Sequence, residues 1–210
     1  MNVVDSPAAA AVAARTEAAL EETKALLEGH FLLSSGRHAG RYVQCAQLLQ
    51  HPAIAGAVCA DLAAVLQEQH GSEKPFDVVV GPAMGAVTFA YELGRALGVR
   101  AIFAERAPEG GFVLRRGFQM EPGERVLVAE DVVTTGKSAG EVVTMLREMG
   151  VKEISAASII NRSGGPAPFG ELPYSACLAV DVPNWSAEEC PLCQSDAAGP
   201  AIKPGSRPGL

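Results

Sequence analysis

No apolar run in the chain approaches the ~18 residues that a membrane-spanning helix needs. The longest apolar run near the start, Pro7 to Ala14, is mostly alanine, has no basic leader and is followed by Arg15 and Glu17. It reads as neither a span nor an export signal. Basic residues are in deficit: 17 Lys and Arg stand against 24 Asp and Glu, a formal charge of −7. Affinity for phosphate backbones or anionic membrane surfaces rests on surplus Lys and Arg, so this balance argues against a general nucleic-acid binder and against a polybasic membrane binder. An anionic ligand would need a local site. There are five cysteines, Cys45, Cys59, Cys177, Cys190 and Cys193. An odd count without an export signal favours a reducing compartment over a disulfide framework, and the expected location is cytoplasmic. No internal repeat of useful length is present.

What is there is a globular composition, 48% hydrophobic and 20% charged over 210 residues, enough for one domain with appendages or two small ones. Helical spacing is loose over Ala8 to Glu28, where Gly29 is the expected stop, and clear over Pro52 to Gln69. From Asp77 the pattern alternates. Asp77 to Gly81 reads as a buried strand, Ala86 to Leu97 as a helix stopped by Gly98, and Val99 to Ala104 as a strand. Arg125 to Asp131 is a strand, Ser138 to Met149 a helix and Glu153 to Ile160 a strand. Two strand–helix–strand units imply right-handed crossovers and a parallel sheet, so the fold class is α/β. Between the units, Glu105 to Met120 is rich in Gly, Glu and Arg, with a strand-like Phe112-Val113-Leu114 patch, and reads as a mobile functional loop. The tail after Asp181 has turn composition. The expected organisation is an N-terminal helix and hood region over 1–50, a core over 51–182 and a tail over 183–210.

The most informative segment is Val126 to Ser138: a buried strand, two adjacent carboxylates (Glu130, Asp131), a Thr134-Thr135-Gly136 loop, and Ser138 opening a helix. Ligands of open parallel sheets sit beyond the carboxyl ends of strands. A helix start there offers unpaired N–H groups and the positive end of its dipole to an anion, so the loop is suited to a phosphate. Gly136-Lys137-Ser138 also matches the end of a Walker A loop, but the first glycine of that motif falls on Asp131. A carboxylate there would repel a wrapped polyphosphate. Beside a sugar's vicinal hydroxyls the same two carboxylates accept hydrogen bonds and favour positive charge at the anomeric carbon. A monophosphate on one side and a diol on the other describe a ribose 5-phosphate.

Glu130 to Ser138 resembles the phosphoribosyl pyrophosphate motif of the type I phosphoribosyltransferases. Two further stretches, Gly29 to Arg37 and Asn161-Arg162-Ser163-Gly164-Gly165, are similar to those of the orotate-using members. The resemblance covers most of Gly29 to Val182. It implies a parallel-sheet type I phosphoribosyltransferase fold with a small N-terminal hood and a flexible catalytic loop. The implied activity is transfer of ribose 5-phosphate from phosphoribosyl pyrophosphate to orotate in pyrimidine biosynthesis, with Mg2+ as cofactor and a homodimer as assembly. On matching positions, Val132, Val133, Thr134, Thr135, Gly136, Lys137 and Ser138 would grip the 5′-phosphate, and Glu130 with Asp131 the ribose hydroxyls. Gly81 followed by Pro82, Ala83, Met84 and Gly85 matches the pyrophosphate loop, and Thr134 with Arg162 the orotate contacts.

Two positions depart from the family pattern. The loop from Glu105 to Met120 holds no lysine, leaving Arg106, Arg115 and Arg116, of which Arg106 lies nearest the expected catalytic position. Ser34 stands where some relatives place a substrate-contacting lysine. The alternatives are a purine phosphoribosyltransferase, since sheet and phosphate loop do not name the base, and a non-catalytic phosphoribosyl pyrophosphate sensor. Cys190-Pro191-Leu192-Cys193 is half of a zinc site or a redox pair. A structural zinc needs four ligands, and Cys177, His30, His38, His51 and His70 all lie far along the chain. A structural turn is therefore the expectation, and no metal ligand is assigned.

Overall fold

The valine-rich runs become the centre of a sheet. In the computed structural model, which describes residues 7–33, 35–164, 168–195 and 199–204, the elements follow in chain order. They are α1 (Pro7–Glu22), β1 (Leu26–Leu32), β2 (His38–Val43), α2 (Cys45–Leu49), α3 (Pro52–His70), β3 (Val78–Pro82) and α4 (Val87–Leu97). After these come β4 (Arg100–Arg106), β5 (Phe112–Leu114), β6 (Arg125–Val133), α5 (Lys137–Glu148), β7 (Glu153–Asn161), β8 (Tyr174–Ala179) and β9 (Asn184–Trp185).

Six strands form the main sheet in the order β5-β4-β3-β6-β7-β8. All its pairings are parallel except β4 with β5. The two predicted strand–helix–strand units are both present. Strand side chains alternate between faces, and the apolar clusters follow that period. Val79, Leu127 and Ala129 pack with Leu20, Leu62, Phe89 and Leu93 from α1, α3 and α4. Val78, Val80, Val126 and Val128 pack with Val142 and Leu146 of α5. Burial on both faces is why these strands read as unbroken apolar runs rather than as alternations.

At the amino ends of β3 and β6, Asp77 takes Arg125 in a fork, Oδ2 accepting from Nε at 2.9 Å and Oδ1 from Nη2 at 2.8 Å. Asp77 also accepts the Arg125 amide, at 2.9 Å. The side-chain bonds first, and then the amide, hold its carboxyl down to about 2.

Three expectations change. The first helix ends at Glu22 rather than Glu28, because Leu26 to Glu28 pair with Arg41 to Val43 as strand, and Gly29 sits where the β1–β2 register shifts. Cross-strand pairing there overrides a loose helical period. Second, Glu105 and Arg106 belong to β4 and pair with Val113 and Phe112. The expected loop is thus partly a hairpin, anchored by the buried Phe112 and by Arg116, which pairs with Glu105 at 2.9 Å. Third, β9 of the tail pairs with β2, so the small sheet has the order β1-β2-β9 and the hood draws on both ends of the chain. Arg37 reinforces this by bonding Asn184. Ser34 lies outside the described residues.

Leu146→Ala opens a cavity in the α5 face of the core, where Leu146 is fully buried. A loss of about 2–5 kcal/mol in urea unfolding is expected, against about 0.5 kcal/mol or less for Met149→Ala on the exposed side of the same turn. Equal losses would refute the packing described.

Candidate active site

The chain leaves β3 through α4 to β4 on one side and leaves β6 through α5 to β7 on the other. Strand order therefore reverses between β3 and β6, which opens a crevice beyond their carboxyl ends. β6 runs further than the sequence suggested, through Val132 and Val133, so the loop itself is short. A cavity of about 200 Å³ lies there, lined by Glu130, Val132 and the residues from Val133 to Ser138. α5 starts at Lys137, and its cap, Gly136, offers no side chain to the first-turn amides. Those amides and the hydroxyls of Thr134, Thr135 and Ser138 give the cavity a donor-rich end.

Gly136 is required twice over. Its φ is +70°, and a Cβ on it would lie 2.6 Å from Pro168 Cγ and 2.9 Å from the Phe169 ring. The turn carrying Pro168 and Phe169 thus covers the loop, a contact the sequence did not signal.

The neighbouring loop, Pro82 to Gly85, faces the acidic pair. Gly81 lets β3 end against α4, since a Cβ there would stand 2.7 Å from that of Ala90. The Ala83–Met84 peptide is cis, and Met84 is exposed. A Cβ on Gly85 would sit 3.4 Å from both Asp131 carboxylate oxygens. Asp131 therefore turns toward this loop, accepting the Val132 amide at 2.9 Å, while Glu130 lines the cavity. The two remain close enough to interact. Burial first, and then the Asp131 charge, push Glu130 up to about 8; burial also raises Asp131. Of the two, Glu130 holds its proton more tightly.

Arg162 follows β7, its amide donating to Val133 O at 2.7 Å, so the backbone ties it to the phosphate loop. Its guanidinium is half-buried, and burial lowers its pKa. Burial first raises the pKa of Tyr42 of β2, which also lies near enough to Arg162 and Asp131 to feel both charges. The buried Cys45 thiol donates to the Asp131 carbonyl, Sγ 3.8 Å from O. Neither Tyr42 nor Cys45 carried a sequence signal. Arg106 is held at the far rim, its Nη1 donating to Glu141 at 2.8 Å and Nη2 to Ser138 Oγ at 3.3 Å. It flanks the phosphate loop. Lys137 is exposed and 3.9 Å from Glu141. The last residue of the Asn161 to Gly165 stretch lies outside the described residues.

The phosphoribosyl transferase domain model matches residues 44–188. The chain belongs to the phosphoribosyltransferase family. Within it, the orotate phosphoribosyltransferase of Heliobacterium modesticaldum is 52% identical over 185 residues, 88% of this chain and 93% of that one. That of Thermotoga maritima is 50% identical over 190 residues, 90% of this chain and 96% of its own. Among solved structures, the orotate phosphoribosyltransferase of Mycobacterium tuberculosis in complex with inorganic phosphate superposes with a TM-score of 0.60 at 26% identity, covering 79% of this chain and 95% of that one. An adenine phosphoribosyltransferase from Saccharomyces cerevisiae has the same TM-score, 0.60, at 16% identity, covering 77% of this chain and 99% of its own. Fold similarity alone therefore does not choose the base.

In this phosphoribosyltransferase the structure gathers Glu130, Asp131, the Val132 to Ser138 loop and the Pro82 to Gly85 loop around one crevice, with Arg162 tied to it through Val133. Away from it, the turn at Cys190 to Cys193 forms, Cys193 N donating to Cys190 O at 3.1 Å. His30 and His38, distant in sequence, converge on that turn.

Because Glu130 binds its proton more tightly folded than unfolded, its contribution to stability is complete below about 4.5 and is lost as pH rises toward about 8. The Tm of ligand-free protein should fall over this interval relative to Glu130→Gln, measured by thermal unfolding in matched buffers. Parallel curves would show that Glu130 ionises normally.

Proposed function

We propose that the protein is an orotate phosphoribosyltransferase that joins orotate to phosphoribosyl pyrophosphate, forming orotidine 5′-phosphate and pyrophosphate. The observation that carries this reading is the joining, in one crevice, of a helix-start phosphate loop with an acidic pair facing a second small-residue loop, in a chain about half identical to named orotate phosphoribosyltransferases over nearly its whole length. Arg162 supports the choice of base. Its guanidinium matches the orotate carboxylate, and a cation already stripped of part of its water gains most from such a partner.

In this reading the 5′-phosphate accepts the amides from Thr134 to Ser138 and the hydroxyls beside them. Glu130 and Asp131 hold the ribose hydroxyls, and the Pro82 to Gly85 backbone approaches the diphosphate. The bond from C1′ to the pyrophosphate oxygen breaks as one from an orotate ring nitrogen forms, that nitrogen's proton leaving to water or the departing pyrophosphate, and the carbon between them gains positive charge. The acidic pair stabilises that charge from a partly buried position, where the interaction is little screened. Arg106, already beside Ser138, supplies positive charge at the rim of the phosphate loop. The donor set around Asp131 is hard oxygen, which suits Mg2+ shared with substrate oxygens and water. When bound, Mg2+ neutralises charge on the departing diphosphate. The homodimer belongs to the same reading: Met84 and Tyr91 are 83% and 67% exposed, apolar surface that a second copy would cover.

Incubation with orotate, phosphoribosyl pyrophosphate and Mg2+ should consume the orotate absorbance; consumption of adenine or guanine instead would reassign the base. Binding of phosphoribosyl pyrophosphate without turnover of any base would identify a sensor. Asp131→Asn should lower kcat by about 10²-fold or more. Arg162→Ala should raise the KM for orotate on the order of 10- to 100-fold and leave that for phosphoribosyl pyrophosphate nearly unchanged. Tyr91→Glu should shift the protein toward monomer in sedimentation velocity, and an unaltered dimer would remove Tyr91 from the interface.

A further inference from the structure

The hood sheet carries a second constellation that the phosphoribosyl site does not use. Nε2 of His30 on β1, Nδ1 of His38 on β2, and the thiols of Cys190 and Cys193 in the tail all lie within 4.8 Å of one another. The separations are 2.9 Å between the imidazole nitrogens, 3.6 Å from His30 to each sulfur, and 3.2 Å from His38 to Cys193.

We propose that these four residues form a structural zinc site that fastens the C-terminal tail to the β1–β2 hairpin. A tetrahedral ion with Zn–N of about 2.0–2.1 Å and Zn–S of about 2.3 Å requires edges of roughly 3.3 Å for N···N and 3.6 Å for N···S. The four separations given depart from these by no more than about 0.4 Å, and the two remaining pairs lie within 4.8 Å. Two nitrogens and two sulfurs in this shape select zinc over the oxygen-seeking cations. All four positions come from protein, leaving none open for substrate or water, the signature of a structural rather than a catalytic ion.

The surroundings of His30 provide an independent argument. Its Nδ1 lies 2.9 Å from Gly199 O, and an N–H donated there leaves the lone pair on Nε2, the atom directed at the other three. A backbone carbonyl orienting a histidine in this way is the usual outer shell of a zinc ligand. Both His30 and Cys190 are buried.

The tail has a physical need for such an anchor. Past β8 its buried apolar side chains are few, Val182 and Cys190 among the described residues. It is otherwise secured by a few hydrogen bonds, among them Arg37 to Asn184, Ile202 N donating to His30 O at 2.9 Å and Leu32 N to Ile202 O at 2.8 Å. Segments that bury little apolar surface commonly depend on a metal or disulfide for their order. Zinc would join β1, β2 and the tail at one point. It would also fix the strand that carries Tyr42, four residues after His38 and near Arg162 and Asp131. The site stands apart from the transferase reading and does not depend on it.

The test is metal content of the full chain, purified without a polyhistidine tag or chelator. Zinc should be retained at about one ion per chain by mass spectrometry of the metals. Replacement with Co2+ should give the intense visible bands of a tetrahedral ion and a thiolate-to-cobalt charge-transfer band. Cys193→Ser, at an exposed position, should lose the zinc and the charge-transfer band, while His51→Ala, outside the cluster, should keep both. The cobalt spectrum of the unaltered chain decides the matter even if a variant fails to fold. Absence of zinc with a thiolate-free cobalt spectrum, a Cys190–Cys193 disulfide in metal-free protein, or unchanged zinc in folded Cys193→Ser would each overturn the proposal.

Discussion

Two neighbouring carboxylates at the end of a buried strand are costly to ionise together, and the active site is arranged around that cost. Desolvation raises both Glu130 and Asp131 in the ligand-free protein, and the Asp131 charge raises Glu130 further. A site prepared in this way gains most when a cationic centre or a set of hydroxyl donors arrives, because the ligand relieves a tension already present in the fold. The nearby amides of α5 work in the opposite sense, presenting positive potential to an anion. Negative potential at the strand end and positive potential at the helix start stand only a few residues apart, which suits a ligand with a diol at one end and a phosphate at the other.

The sheet makes this polarity possible. Reversal of strand order between β3 and β6 leaves their carboxyl ends uncovered by a crossover, so two loops meet there instead of one. Close packing then sets the backbone. Gly81 allows the end of β3 to pack against the start of α4, and Gly136 lets the loop before α5 bend beneath Pro168 and Phe169. These glycines are sites of contact as much as of flexibility.

Much of the centre was legible beforehand because it is encoded locally. Valine runs buried on both faces, helices stopped by glycine and a strand-to-helix loop with adjacent acids leave signals within a dozen residues of one another. β2 and β8 left none, since both are short and their buried and exposed side chains are mixed. Leu26 to Glu28 continued a helical pattern yet became strand, because Arg41 to Val43 offered hydrogen bonds that a short sequence window cannot reveal. Tyr42 and Cys45 came close to Asp131 for the same reason: they belong to β2 and α2, elements far from β6 along the chain.

The sequence by itself determined the α/β core, the strand-to-helix loop before α5 and the acidic pair at its head, all properties of contiguous residues whose burial and hydrogen bonding are settled by near neighbours. Only the tertiary structure decided that Asp131 turns toward Gly85 while Glu130 lines the cavity. It also decided that Arg106 is drawn to Ser138 and Glu141, and that His30 and His38 meet Cys190 and Cys193. Each of these depends on side chains from separate elements sharing a few ångströms of space, and distance along the chain carries no record of that proximity until the sheets have formed.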